Sequence, residues 1–189
     1  MSVILLTNDN KEFKLNRDIA LKCGLFTDIL TDHNESDEKE NDIQLPVPNI
    51  HSETLQQMLP FLERYLSNPT EAAELDIVLG ENPVKSNEMK DLVPEWYSTY
   101  IDNLVNVDDK ESQETIEANI KILTKLTLAA NYLDCNPLRL FYCMKFAAFI
   151  KNKSPEQLKE VLNIDLSLDT DDEDEEEEKE KSSNETKVS

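Results

Sequence analysis

After Pro137 the sequence reads LRLFYCMKFAAFI, a run in which Arg139 and Lys145 are the only charges. A helix apolar almost all round is a poor surface element, so this run predicts a helix buried in the centre of a domain. The segment before it carries the strongest helical periodicity in the chain. Ile116, Ile120, Leu123, Leu126, Ala130 and Leu133 recur at spacings of four and three, which puts them on one face of a second helix. Cys143 lies inside the apolar run and reads as a small core residue, not a nucleophile.

The earlier part of the chain is shorter in its rhythm. Residues 3–7 and 12–15 are β-prone runs flanking Asn8-Asp9-Asn10-Lys11, which predicts a hairpin. Asn16 is placed to cap a helix, and Gly24 separates two short helices. Residues 43–45 form a strand that Pro46 and Pro48 stop. Ser52 caps a helix bearing Leu55, Leu59, Leu62 and Leu66, which Pro60 kinks or splits. Residues 67–117 are a polar, acidic insert with one better-packed island at 93–107. Its Trp96, Tyr97 and Tyr100 predict a satellite helix lying on the core in preference to an exposed aromatic site. Ser154-Pro155-Glu156-Gln157 then gives three helix-start signals together: a Ser cap, Pro at the first helical position, and Gln completing a capping box. That helix carries Leu158, Val161 and Leu162 and ends near residues 163–164. Hairpin, short helices, strand and a run of helices make an α+β domain, with helices packed on a small sheet.

Charge narrows the function. The chain holds 40 acidic and 19 basic residues, a formal net charge of −21. Residues 32–42, with six acids and one lysine, and residues 165–189, at net −9, cannot offset their own ordering entropy and predict a disordered loop and tail. Phosphate backbones and anionic lipid heads need clustered Lys and Arg, so neither nucleic acid nor membrane is an expected partner. Gly24 and Gly80 are the only glycines, too few for a phosphate-cradling G-x-G-x-x-G or P-loop. No apolar run reaches the length of a membrane span, and the N-terminus lacks a basic-then-apolar signal, which predicts a soluble intracellular protein. Three cysteines without C-x-x-C, and only His33 and His51, give no metal or Cys–His motif. No enzyme, metal site or cofactor is expected, and the partners are expected to be proteins.

Three segments carry a resemblance. Residues 45–59, LPVPNIHSETLQQML, follow an acidic loop and are similar to a P-x-P-N-V segment with its following helix. Residues 128–138, LAANYLDCNPL, are close to L-A-A-N-Y-L-D-[ILC]-x-x-L. Residues 152–164, NKSPEQLKEVLNI, are similar to G-K-[ST]-P-E-E-I-R-x-x-F-N-I. In this order they resemble the S-phase kinase-associated protein family, BTB/POZ-type adaptors of cullin-based ubiquitin ligases, with elongin C a more distant relative. The resemblance covers most of residues 1–164.

It implies a BTB/POZ-like cullin-docking part over 1–133, F-box-binding helices over 134–164, and an acidic tail over 165–189. Asn131 and Tyr132 match the Asn-Tyr pair that family members present to the cullin. Leu138, Pro155, Leu158, Leu162 and Ile164 match positions at the F-box surface, where helix-in-groove binding suits them. The implied partners are a cullin and an F-box protein, in cytoplasm and nucleus, with a homodimer left open. The implied function is that of a non-catalytic adaptor for protein ubiquitination. The departures are Asn152 for the family's glycine, Leu162 for its phenylalanine, a longer stretch before L-A-A-N-Y-L, and an acidic tail where the family continues E-E-x-x-I-R-x-E-N-x-W. Two other functions stand beside the adaptor. One is a BTB-type scaffold outside ubiquitin ligases, in a kinetochore or vacuolar-ATPase assembly complex. The other is a chaperone for histones or basic proteins acting through the tail.

Overall fold

A computed structural model describes residues 2–32, 42–81, 83–106, 112–151 and 153–162. The acidic loop and tail, apart from their edges at 32 and 42, fall outside those residues, as do Asn152 and Ile164. The chain divides into two units, Met1–Lys153 and Ser154–Ser189.

The first unit begins with β1 (Ser2–Thr7) and β2 (Glu12–Asn16), the expected hairpin. β3 (Ile43–Val47) lies parallel to β1 on its other side, giving the order β2-β1-β3. The strand runs two residues further than expected, because Pro46 pairs opposite Leu6 on an edge strand, where a missing N–H can face away from the ladder. Alternation along the strands turns Val3, Leu5, Leu15, Leu45 and Val47 to one buried face.

Among the described residues, seven α-helices follow or interleave in this unit: α1 (Arg17–Ala20), α2 (Gly24–Asp32), α3 (Ser52–Ser67), α4 (Pro69–Leu79), α5 (Glu95–Leu104), α6 (Gln113–Tyr132) and α7 (Asn136–Ile150). Asn16 caps α1 as expected, its side chain accepting from Asp18 N–H. For α3 the cap is His51, whose Nδ1 accepts from Glu53 N–H. Ser52 is instead the first helical residue, and its hydroxyl donates to Asp9 Oδ2 at 2.7 Å. Asp9 also accepts from Ser52 N–H and from the Thr7 hydroxyl, so one carboxylate staples the hairpin turn to the start of α3. The Ser52 hydroxyl is the largest influence holding its pKa far below the ordinary 3.8, with that of Thr7 next. Pro60 does not split α3. It sits on the exposed side with Gln56, so the carbonyl that loses its donor faces water.

Within the stretch read as a polar insert, α4 buries Ala72, Leu75 and Leu79 and is tied to α3. Arg64 donates two hydrogen bonds to the Glu71 carboxylate, at 2.9 and 2.7 Å, and the Tyr65 hydroxyl bonds the Asp76 carboxylate. Nor is α5 a satellite. Tyr97 and Ile101 are fully buried, and Tyr97 packs on Phe61 and Phe141 with centroids 5.3 and 6.0 Å apart. Tyr100 donates to the Gln57 carbonyl at 2.8 Å and shares a 2.9 Å hydrogen bond with Tyr142, which joins α5 to α3 and α7.

α6 packs on α7 as the core pair. Of the predicted α6 face, Ile116, Leu123, Leu126, Ala130 and Leu133 are buried and Ile120 is half-buried. α7 buries Leu138, Phe141, Tyr142, Met144, Lys145, Ala148 and Phe149, but not Cys143, which is exposed. The helix is therefore not covered all round: Cys143 is exposed between the buried Tyr142 and Met144. Lys145 enters the core side because its ammonium reaches Asp102 on α5 at 2.7 Å.

The second unit shows α8 (Pro155–Leu162), opened by the expected capping box. Ser154 N–H donates to Gln157 Oε1 at 2.8 Å, and Gln157 N–H donates to Ser154 Oγ at 3.3 Å.

Candidate functional site

α6 ends in a turn that the sequence does not advertise. Cys135 N–H donates to Ala130 O and Asp134 N–H to Asn131 O, both at 3.0 Å, and Asp134 adopts φ 51°. This is a Schellman ending with Asp in the left-handed position that glycine usually fills. The start of α2 is laid against this turn: Gly24 N–H donates to Asp134 O at 3.0 Å and Leu25 N–H to Leu133 O at 3.2 Å. A Cβ on Gly24 would stand 2.1 Å from Asp134 Oδ2, so any larger residue here would have to displace that carboxylate.

The turn holds Asn131 exposed and Tyr132 half-buried at the last residues of α6. One turn earlier on the same side, Leu128 is 63% exposed. Lys121, Thr124 and Lys125 continue this open stripe along the helix. Across the junction, Leu21, Leu25 and Ile29 are also exposed large apolar side chains, the last two four residues apart on α2. Exposed large apolar side chains at a helix end, beside a polar Asn, suit capture of another protein. The predicted pair has an exposed apolar neighbour in Leu128, and Leu25 is joined to the same turn through its backbone bond to Leu133. Leu128 was findable in advance, since it falls off the buried face of α6. The α2 side chains were not, because only tertiary packing decides which side of so short a helix is covered.

The residues matched to the F-box surface separate. Leu138 is completely buried in the first unit, where it serves the core and offers nothing to a partner. On α8, Pro155 is exposed while Leu158 and Leu162 are half-buried. A further concavity of about 550 Å³ lies between α3 and α5, floored by Pro60, Trp96, Tyr100 and Leu104. Trp96 stacks on Tyr100 with centroids 5.4 Å apart, and the Arg64 guanidinium lies 5.5 Å from the Trp96 ring centroid. The aromatic island is therefore divided: Tyr97 is core, and Trp96 with Tyr100 lines an open groove.

Among the described residues no three His, Cys, Asp or Glu side chains are grouped to hold a metal, and no helix is long and apolar enough to cross a membrane.

Comparison with known proteins bears on both units. Residues 1–67 match the model of the Skp1 family tetramerisation domain, and residues 137–185 match that of the Skp1 family dimerisation domain. The chain is 29% identical over 163 residues to the S-phase kinase-associated protein 1 homolog of Tetrahymena thermophila, covering 86% of this chain and 81% of that protein. It is 28% identical over 165 residues to the SCF ubiquitin ligase complex protein SKP1a of Dictyostelium discoideum, covering 87% and 85%. Against the E3 ubiquitin ligase complex SCF subunit sconC of Arthroderma benhamiae it is 25% identical over 162 residues, covering 86% and 82%.

Proposed function

Because the chain belongs to the Skp1 family, we propose that it is a non-catalytic adaptor of an SCF-type cullin–RING ubiquitin ligase, bridging the cullin N-terminal region to an F-box substrate receptor. The adaptor contributes no nucleophile. It holds a receptor and its cargo at a fixed distance from the conjugating enzyme, so its contribution to rate is positional.

The observation that carries the reading is the α6 end, where Leu128, Asn131 and Tyr132 form an exposed edge on a turn pinned by α2. That edge is the proposed cullin face, with Leu25 and Ile29 extending it. Rigid backing suits such a face, since a preformed surface loses little conformational freedom on binding. The proposed F-box face is on α8, through Pro155, Leu158 and Leu162, with Ile164 just beyond. The capping box gives this short helix a fixed start, which supports its use as a docking helix. Cytoplasm and nucleus are the proposed locations.

Recovery of the full chain from its source cells, followed by mass spectrometry, tests the reading. A cullin and F-box proteins together in the eluate are expected. An eluate holding neither, or holding only histones and other basic proteins, overturns it. A Leu158→Arg variant is expected to lose the F-box proteins and keep the cullin.

A further inference from the structure

Cys23 closes the turn between α1 and α2, and Cys135 stands at the N-terminal cap of α7. The adaptor reading uses neither sulfur, and the chemistry of the pair is independent of it. Both side chains are buried, at 2% and 1% exposure, on segments that the backbone pairs directly beside them. The backbone enforces this approach. Cys23 and Cys135 are the chain neighbours of Gly24 and Asp134, whose 3.0 Å hydrogen bond joins the two segments, with a second bond from Leu25 to Leu133 beside it. Two cysteines held side by side with free thiols are the arrangement from which a disulfide can close without moving whole elements.

We propose that Cys23 and Cys135 are an oxidation-sensitive pair which hydrogen peroxide converts to a disulfide, locking the start of α2 to the turn that carries Asn131 and Tyr132.

Cys135 is the attacking sulfur. The neighbouring Cys23 sulfur favours the Cys135 anion, and Cys135 together with burial disfavours that of Cys23. Its place at the start of a 15-residue helix also favours the anion. The Cys135 thiolate attacks one peroxide oxygen and the O–O bond breaks. Cys135 becomes a sulfenic acid, and the departing hydroxide takes up a proton as water. Cys23 then loses its proton, and its sulfur displaces the sulfenic hydroxyl. The S–S bond forms and a second water leaves. Two sulfurs have given up two electrons, and both peroxide oxygens end as water. A thiol reductant reverses the change by exchange.

Cys143, exposed and remote from the pair in the pattern of α7, provides the internal reference. The full chain is reduced, treated with hydrogen peroxide, blocked with N-ethylmaleimide, and digested without reductant for mass spectrometry. The expected product is a peptide joining Cys23 to Cys135 within one chain, with an intact mass lower by two hydrogens and Cys143 as the alkylated thiol. Dithiothreitol restores all three thiols. The thermal unfolding midpoint is expected to rise on oxidation and to return on reduction. Cys143→Ser, at an exposed site, is expected to give the same cross-link, and Cys23→Ser to abolish it. Alkylation of both Cys23 and Cys135 after Cys143 has been consumed would overturn the proposal. So would their separate conversion to sulfinic acids, or an unfolding midpoint unchanged by the cross-link.

Discussion

Three tyrosines where α5 meets α3 and α7 differ in what their hydroxyls do, and removing one oxygen from each should give three different results. Tyr97 is fully buried, and its hydroxyl has no hydrogen-bond partner among the described residues. Burial pushes its pKa up to about 12, as the loss of water around a phenol requires. An unsatisfied buried donor costs about 1–3 kcal/mol, so Tyr97→Phe is expected to stabilise the fold, by roughly 1 kcal/mol. Tyr100 is the opposite case, because its hydroxyl serves both the Gln57 carbonyl and Tyr142. Tyr100→Phe removes about 1 kcal/mol of net hydrogen bonding and also strands the buried Tyr142 hydroxyl, for a loss of roughly 2–3 kcal/mol. Tyr142→Phe leaves Tyr100 still donating to Gln57, so it should cost about 1 kcal/mol or less. Urea unfolding followed by circular dichroism reads these as shifts in midpoint at constant slope. In a domain of this size each 1 kcal/mol corresponds to about 2–4 °C in Tm. If Tyr97→Phe lowers the midpoint as far as Tyr100→Phe does, the packing of α5 against α3 and α7 is not as described.

Other perturbations obey the same logic. Asp102→Ala leaves the Lys145 ammonium, only 11% exposed, without its carboxylate, and should destabilise by about 1–3 kcal/mol. Lys145→Met should be close to neutral in the same denaturation assay. Gly24→Ala drives a methyl into the Asp134 carboxylate and should cost about 1 kcal/mol. In an Asp134→Gly background that cost should largely vanish, a coupling of at least about 0.5 kcal/mol in a double-mutant cycle. Asp9 has its pKa lowered in the fold, so its contribution is complete above the ordinary 3.8 and is lost as the pH falls below that toward the lowered value. Wild type should therefore lose stability relative to Asp9→Asn as unfolding is measured at successively lower pH below 4, and parallel curves would contradict the staple.

Local chemistry made much of the fold legible. The hairpin, the Asn16 cap and the capping box at Ser154 are decided by neighbours in sequence, and all three are present. Periodicity likewise located α6, because a long one-sided stripe has few other uses. The features that stayed hidden depend on distant partners. Ser52 looked like the cap of α3, but Asp9 claims its hydroxyl and leaves capping to His51. Pro46 looked like a stop, and only the place of β3 at the sheet edge makes it harmless. In α4 the buried Ala72, Leu75 and Leu79 are masked by acids and by exposed Ile77. Cys143 belongs to an apolar run, yet it sits on a side of α7 that is exposed among the described residues. At the candidate cullin face, motif resemblance singled out Asn131 and Tyr132, while the αL turn under them has no glycine to announce it.

Isothermal titration of the full chain with a purified cullin N-terminal domain decides whether the α6 end is a cullin face, with Asn131→Ala/Tyr132→Ala and Leu128→Arg measured alongside. Asn131 and Leu128 are exposed and Tyr132 is half-buried, so the unfolding midpoints of these variants should stay near wild type. Wild type is expected to bind, and each variant to bind at least about tenfold more weakly, the loss of roughly 1.4 kcal/mol of contact. No heat of binding with wild type, or equal affinity across all three, would refute the cullin face.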